Sequence, residues 1–253
     1  MSGSPPSVPG FSAWMSVAVS MVAYEPVAEL ADVGFHAFTT TRDTGSFNVM
    51  GPEPTAHVMT RWYALIDYLG TWATRFATAP QVHGTVVHRH EGRWSGWLRA
   101  PEADGHCAPV GGIAMAVTVA DCVPVFLAHP SGAAAVLHAG WRGTADRILD
   151  RGVEMMTRSG FSASDLYVHL GPAICGSCYE VGPDVYQRLT GQAVRTPATV
   201  DLRALLSAQA ESLGMHRISI SRWCTRCHNE RFFSHRCGDL GRQLAVIVRA
   251  TDG

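Results

Sequence analysis

The pattern of apolar and polar positions divides the chain into three helical stretches and a larger number of short strands. At Pro54–Leu69, the apolar residues Val58, Trp62, Leu65, Ile66 and Leu69 recur at the period of a helix with one buried face. Thr144–Arg158 repeats that pattern with Ile148, Val153, Met155 and Met156, and Gly160 supplies a stop. Arg203–Leu213 predicts a third helix, with Asp201 as its N-terminal cap and Gly214 beyond its end. Between the helices lie β-rich runs at Thr85–His88, Ile113–Val119, Pro124–Ala128, Ala133–Leu137, Leu166–His169, Arg217–Ser221 and Leu244–Val248. These elements do not follow the strict alternation of a doubly wound sheet. The central strands are apolar on both faces and so need a cover on each side. The expected fold is α/β of the α+β type, with mixed β-sheets covered by helices in a layered sandwich. It forms a single domain over residues 11–253. Residues 1–10, with three prolines and two glycines, are expected to be a flexible tail.

Composition narrows the chemistry. The 253 residues carry 20 basic and 21 acidic side chains, and all twenty basic ones are arginine. Without lysine there is no Walker phosphate loop, no Schiff-base enzyme and no protein kinase. A formal net charge of -1 argues against a sequence-independent nucleic-acid binder, which needs a basic surface to displace counterions. No apolar run approaches the ~20 residues of a membrane span. The segment Phe11–Tyr24 is fairly apolar, but the first basic residue is Arg42, so a secretory signal is not expected and the cytoplasm is the expected compartment.

Seven cysteines cannot all pair within the chain, and reduced thiols are expected. The stretch Trp223–Glu230, WCTRCHNE, imitates two known sites. It spells a haem attachment motif, which belongs to exported proteins. It also resembles the zinc deaminase signature, but in reversed order and without the proline. By spacing alone, Cys224, Cys227, His235 and Cys237 are compatible with a structural zinc, and the alternative is a reduced turn beside the sheet.

Three segments place metal-competent residues inside apolar runs: APQVHGTVV at 79–87, MAVTVADCVPVFLAH at 115–129 and AAAVLHAGWRGT at 133–144. Asp121 and Cys122 lie at the end of one buried strand and His138 at the end of another, while His83 follows a Pro–Gln–Val loop entry. A carboxylate and a histidine at buried strand ends must be paired or ligating, because uncompensated burial is costly. Taken singly, a histidine at a strand end is more often a hydrogen-bonded structural residue, and a cysteine such as Cys122 more often packs than reacts.

Together with GPAIC-x-x-CYEV, the DLR segment, CT before FFSHR and GRQ-x-A-V-I, these blocks resemble the laccase-domain family from about Phe38 to Val248. This is the YfiH-like group, once called multicopper polyphenol oxidases and also described as purine nucleoside phosphorylases. The resemblance implies one metal site of two histidines and a cysteine, mapping onto His83, Cys122 and His138. Two imidazoles and a thiolate suit zinc, and three protein ligands leave a fourth position open. Asp121 is expected to orient a ligand or carry a proton, although strand alternation points it away from Cys122 unless a turn intervenes.

The resemblance also implies phosphorolysis of purine nucleosides and deamination of adenosine. Phosphate must then be gripped by arginine, and the candidates are Arg42 in TTRDTGSFN and Arg142 in HAGWRG. The chain departs from the family pattern at Asp43–Thr44–Gly45, where paired glycines are usual, and at Cys237, where a second arginine is usual. The expected activity is that of a zinc-dependent purine nucleoside phosphorylase and adenosine deaminase, with nucleoside and phosphate as small-molecule partners. The alternatives are a copper-dependent polyphenol oxidase and an amide hydrolase that edits cell-wall precursors with Cys122 as nucleophile.

Overall fold

A computed structural model describes residues 22–92 and 94–250, and the expected tail at 1–10 lies outside them. In chain order the first elements are β1 (Tyr24–Pro26), α1 (Ala28–Ala31), β2 (His36–Thr40), α2 (Thr55–Leu69), β3 (Arg75–Thr78), β4 (Val87–Arg89), β5 (Gly96–Arg99) and β6 (Gly105–Ala108). The middle of the chain forms β7 (Ile113–Val119), β8 (Val123–Ala128), β9 (Ala134–Ala139), α3 (Trp141–Ala145), α4 (Ile148–Arg158) and β10 (Tyr167–Leu170). There follow β11 (Glu180–Val181), α5 (Pro183–Thr190), β12 (Ala198–Thr199), α6 (Leu202–Ser212), β13 (Arg217–Ile220) and β14 (Gln243–Val248).

Two six-stranded mixed sheets stack face to face, in the orders β1-β2-β14-β7-β3-β5 and β13-β10-β8-β9-β6-β4, and β11 and β12 form a small separate ribbon. The period-2 alternation of strand side chains explains the layering. Along β7, Met115, Val117 and Val119 face the second sheet, while Ala114 and Ala116 join Phe38, Leu244 and Val246 beneath α2. Along β8, Phe126 and Ala128 face the first sheet, while Val123, Val125 and Leu127 face α4 and α6. The molecule is thus one domain of four layers, helix–sheet–sheet–helix, as the double-sided hydrophobicity of the central strands requires. Gly152 lets α4 sit close on its sheet, because a Cβ there would meet the Leu137 side chain at 2.7 Å. Among the described residues no helix is long and apolar enough to cross a membrane.

Two expectations change. The helix expected over Thr144–Arg158 is two helices, because Arg147 takes a left-handed backbone with φ 64° between α3 and α4. The break lets α3 follow directly from the end of β9. Strands β1, β2, β3, β5, β6, β11 and β12 and helices α1 and α5 are not evident from the pattern. They are short, and β6 reads Gly–His–Cys–Ala, so pairing with β9 and β4 rather than local preference makes it a strand.

Candidate metal centre

Three elements from both sheets deliver His83, Cys122 and His138 to one point. One ligating atom from each lies within 4.8 Å of the others. His138 is carried by β9, on the face that looks toward the first sheet, and Pro124 is its cross-strand neighbour. Cys122 comes from the turn that takes the chain from β7 in one sheet to β8 in the other. Asp121 sits at that turn with φ 77°, which resolves the alternation objection: Asp121 and Cys122 are not successive strand residues. His83 lies in the loop before β4, also in the left-handed region at φ 60°. A non-glycine residue in that region is held by its surroundings at some energetic cost, and of the three such residues among the described ones two flank or form this cluster.

Asp104, which has no side-chain exposure, holds the arrangement together. Its carboxylate accepts the backbone N–H groups of Val82 (3.2 Å), His83 (3.0 Å) and Gly84 (2.6 Å), which fixes the strained loop. The same carboxylate pairs with Nδ1 of His138 at 2.8 Å, leaving Nε2 to face the cluster. One buried carboxylate therefore orients two of the three ligands, as partners of metal-binding histidines characteristically do. Burial works to raise the Asp104 carboxyl, but the bonds from His138 and the loop N–H groups hold it below the usual carboxylate range.

The electrostatics favour a thiolate at Cys122. Burial opposes ionisation of Cys122, yet His138 and His83 bring its thiol down to about 6. Burial likewise opposes charge on His138, but the Cys122 thiolate and Asp104 lift it to about 9. The thiolate and the protonated His138 ring stabilise each other, and a cation that displaced that proton would meet a thiolate and two imidazoles, a set that suits zinc or copper. Gly140 keeps the space open: a Cβ there would lie 2.9 Å from the Cys122 sulfur and 3.4 Å from the His83 ring. The residues present therefore fit a bound metal ion.

Two cavities open on either side of the cluster, and His83, Cys122 and His235 line both. The larger, about 450 Å³, is walled by Phe47, Met50 and Trp62 with Asn48, Arg99 and Arg242 among its polar residues. The smaller, about 300 Å³, is bordered by Arg142, Arg236, Tyr179 and Trp141. The Arg142 guanidinium stacks over the Trp141 ring at 4.6 Å and makes no side-chain hydrogen bond among the described residues. The Arg236 guanidinium stands 4.8 Å from the Tyr179 ring.

The other sequence candidates sit elsewhere. Arg42 lines neither cavity; its guanidinium is spent on the carbonyls of Asn229 and Phe232 and on the Asp239 carboxylate at 2.6 Å. Asp121 borders the smaller cavity, but its carboxylate accepts Thr225 Oγ at 2.6 Å and the Arg236 N–H at 2.8 Å, so it clamps the turn. The orienting role expected of Asp121 falls geometrically to Asp104. In sequence Asp104 shows only a D–G pair, which reads as a turn. His235 and Cys237 do not join Cys224 and Cys227: His235 faces the two cavities, and Cys237 is exposed. The partners of Cys224 and Cys227 are Cys175 and Cys178. His88 bonds the Pro101 carbonyl at 3.1 Å and His90 pairs with His106 at 2.9 Å, so neither joins the cluster.

Comparison with known proteins places these features in a family. The family described as Multi-copper polyphenol oxidoreductase laccase matches residues 39–250. A purine nucleoside phosphorylase of Deinococcus radiodurans is 36% identical over 209 residues, covering 78% of each chain. Adenosine deaminase RL5, from an unknown prokaryotic organism, is 40% identical over 154 residues, a match spanning 54% of this chain and 59% of that one. The crystal structure of the Bacillus licheniformis hypothetical protein YfiH superposes with a TM-score of 0.80 at 23% identity, over 92% of this chain and 98% of that one.

Proposed function

The chain belongs to the multi-copper polyphenol oxidoreductase laccase family, and on that premise we propose that it is a zinc-dependent purine nucleoside phosphorylase that also deaminates adenosine. The observation that carries this reading is the His83–Cys122–His138 cluster set between two cavities, one walled by aromatic and apolar residues and the other rimmed by arginine. The names of its relatives support the same reaction classes.

In this reading His83, Cys122 and His138 hold zinc, and the bound ion supplies Lewis acidity at an open fourth position. The flat, apolar wall at Phe47 and Trp62 takes the purine, whose faces gain from aromatic contact. Arg142, with its guanidinium donors uncommitted, and Arg236 grip phosphate at the other side. Phosphorolysis then joins a phosphate oxygen to the ribose C1′ as the C1′–N9 bond breaks. The electron pair leaves with the base, and His235, which faces both cavities, delivers the proton that the purine needs. Deamination uses the same pocket, with water replacing the amino group of adenosine and ammonia leaving.

The test is incubation of the zinc-loaded protein with inosine or adenosine, with and without phosphate. The expected products are ribose-1-phosphate with the free base when phosphate is present, and inosine from adenosine without it. Absence of both product sets from a fully metallated sample overturns the proposal.

A second reading rests on a specific contact. Cys122, His138 and Asp104 stand in the order nucleophile, base and orienting carboxylate, which is also the layout of a cysteine hydrolase. An amide hydrolase of that kind keeps its activity when the metal is stripped. Loss of turnover on chelation, with recovery on adding zinc, favours the metal reading.

A further inference from the structure

The second group of metal-competent side chains lies outside the cluster described above and is all sulfur. Cys175 and Cys178 form one C-x-x-C turn after β10, and Cys224 and Cys227 form another after β13. Their four sulfurs all lie within 4.8 Å of one another. We propose that Cys175, Cys178, Cys224 and Cys227 bind a structural zinc ion as a closed tetrathiolate site, separate from the His83–Cys122–His138 centre.

The geometry favours a metal over two disulfides. Zinc–sulfur bonds of about 2.3 Å in a tetrahedron put every pair of sulfurs about 3.8 Å apart. Disulfides would bring the cysteines together only two by two. Here all four converge, with Cys178 and Cys227 3.4 Å apart. Each C-x-x-C pair is folded into a tight turn, with the Cys178 N–H donating to the Cys175 carbonyl at 3.0 Å and the His228 N–H to the Cys224 carbonyl at 2.9 Å. Two backbone N–H groups, of Cys175 and Cys227, point at the Cys224 sulfur from 3.3 and 3.4 Å. Amide donors of this kind stabilise a thiolate that carries ligand charge. Arg226 reaches across to the Cys178 carbonyl at 3.1 Å and places a cation beside the four sulfurs.

The site joins the two segments that back the smaller cavity. Ala173 bridges to Cys224, the Ile174 N–H donates to the Asp121 carbonyl, and Thr225 donates to the Asp121 carboxylate. A closed site with no open coordination position does no chemistry. It pins Tyr179 and the turn bearing Asp121 from behind.

The experiment is metal quantification on the full-length protein purified under reducing conditions. Wild type is expected to carry about two zinc ions per chain, and Cys122→Ala and Cys227→Ser about one each. Cobalt replacing the remaining zinc of Cys122→Ala is expected to show intense thiolate-to-metal charge transfer with tetrahedral visible bands. Cys227→Ser is expected to lower the thermal midpoint by roughly 5–10 °C. If Cys227→Ser does not fold, thiol counting in folded Cys122→Ala replaces it, and strong chelation is expected to expose four protected thiols. A folded, reduced Cys122→Ala that binds neither zinc nor cobalt overturns the proposal. So does peptide mapping that finds these cysteines joined as disulfides in protein never exposed to oxidant.

Discussion

Two sulfur-bearing clusters in this protein could each hold a metal ion, and they differ in donor set, in access and in the way the fold builds them. The first mixes two imidazoles with one thiolate, draws its residues from three separate segments, and faces cavities on both sides. Two of its neighbouring backbone positions are strained, and a buried carboxylate is committed to orienting it. The second is four sulfurs on two tight turns, with its charge met by backbone N–H groups and Arg226. An incomplete ligand set leaves room for a substrate, whereas a complete one leaves none. The two clusters also differ in access: a Cβ at Gly140 would crowd the Cys122 sulfur and the His83 ring, and the first cluster borders cavities that the second does not line.

The contrast can be broken most directly at the ligands. His138→Ala or Cys122→Ala is expected to abolish turnover while the protein stays folded and keeps the zinc of the tetrathiolate site. Turnover that survives in either variant would remove the metal from the chemistry. Asp104→Asn comes next. It keeps the shape but weakens the hold on His138 and on the His83 loop, so zinc affinity at the first site is expected to fall about 10–100-fold. Competition with a chelator of known affinity measures this, and the tetrathiolate site is expected to be unchanged.

A smaller effect separates the two arginines. Arg142→Ala is expected to raise the KM for phosphate about tenfold or more, the loss of one charge-assisted hydrogen bond of about 1.5–3 kcal/mol. Metal content should stay constant. Arg42→Ala is expected to leave that KM alone, because Arg42 is committed to Asp239 and two carbonyls. Steady-state kinetics with phosphate as the varied substrate decides between them, and equal effects would return Arg42 to the anion site.

A further contrast sets the histidines of the cluster against a buried pair, His90 and His106, whose rings partner each other. Burial pushes His90 down to about 4 and His106 down to about 3. The unfolded chain therefore binds protons that the folded chain refuses. Stability from this pair is present above about pH 6.5 and falls as pH drops from there toward 4 and 3, each histidine contributing at most about 1.4 kcal/mol per pH unit. Thermal midpoints between pH 7 and 4 are expected to fall less steeply in His106→Gln than in wild type. Parallel curves would mean that the pair does not set acid sensitivity.

Much of this was legible from the residues alone. The both-sided apolar character of Ile113–Val119 and Pro124–Ala128 required covers on two faces, and those segments are the paired centres of the two stacked sheets. His83, Cys122 and His138 stood out as polar interruptions of apolar runs, and physical chemistry demands a partner for such groups. Asp201 was readable as a cap because a cap is a local device, and its carboxylate accepts the N–H groups of Arg203 and Ala204.

What tertiary structure alone decided is long-range partnership. Nothing near Asp104 in the chain says that one carboxylate meets His138 and the loop of His83, because those contacts exist only once β6 and β9 pair. Arg42 and Arg142 look alike in sequence, yet the fold spends the first on Asp239 and leaves the second at a cavity rim. Spacing grouped Cys224 and Cys227 with His235 and Cys237, while the fold matched them with Cys175 and Cys178. Residue type and local pattern determine which groups must find partners; only the closing of the sheets determines which partners they find.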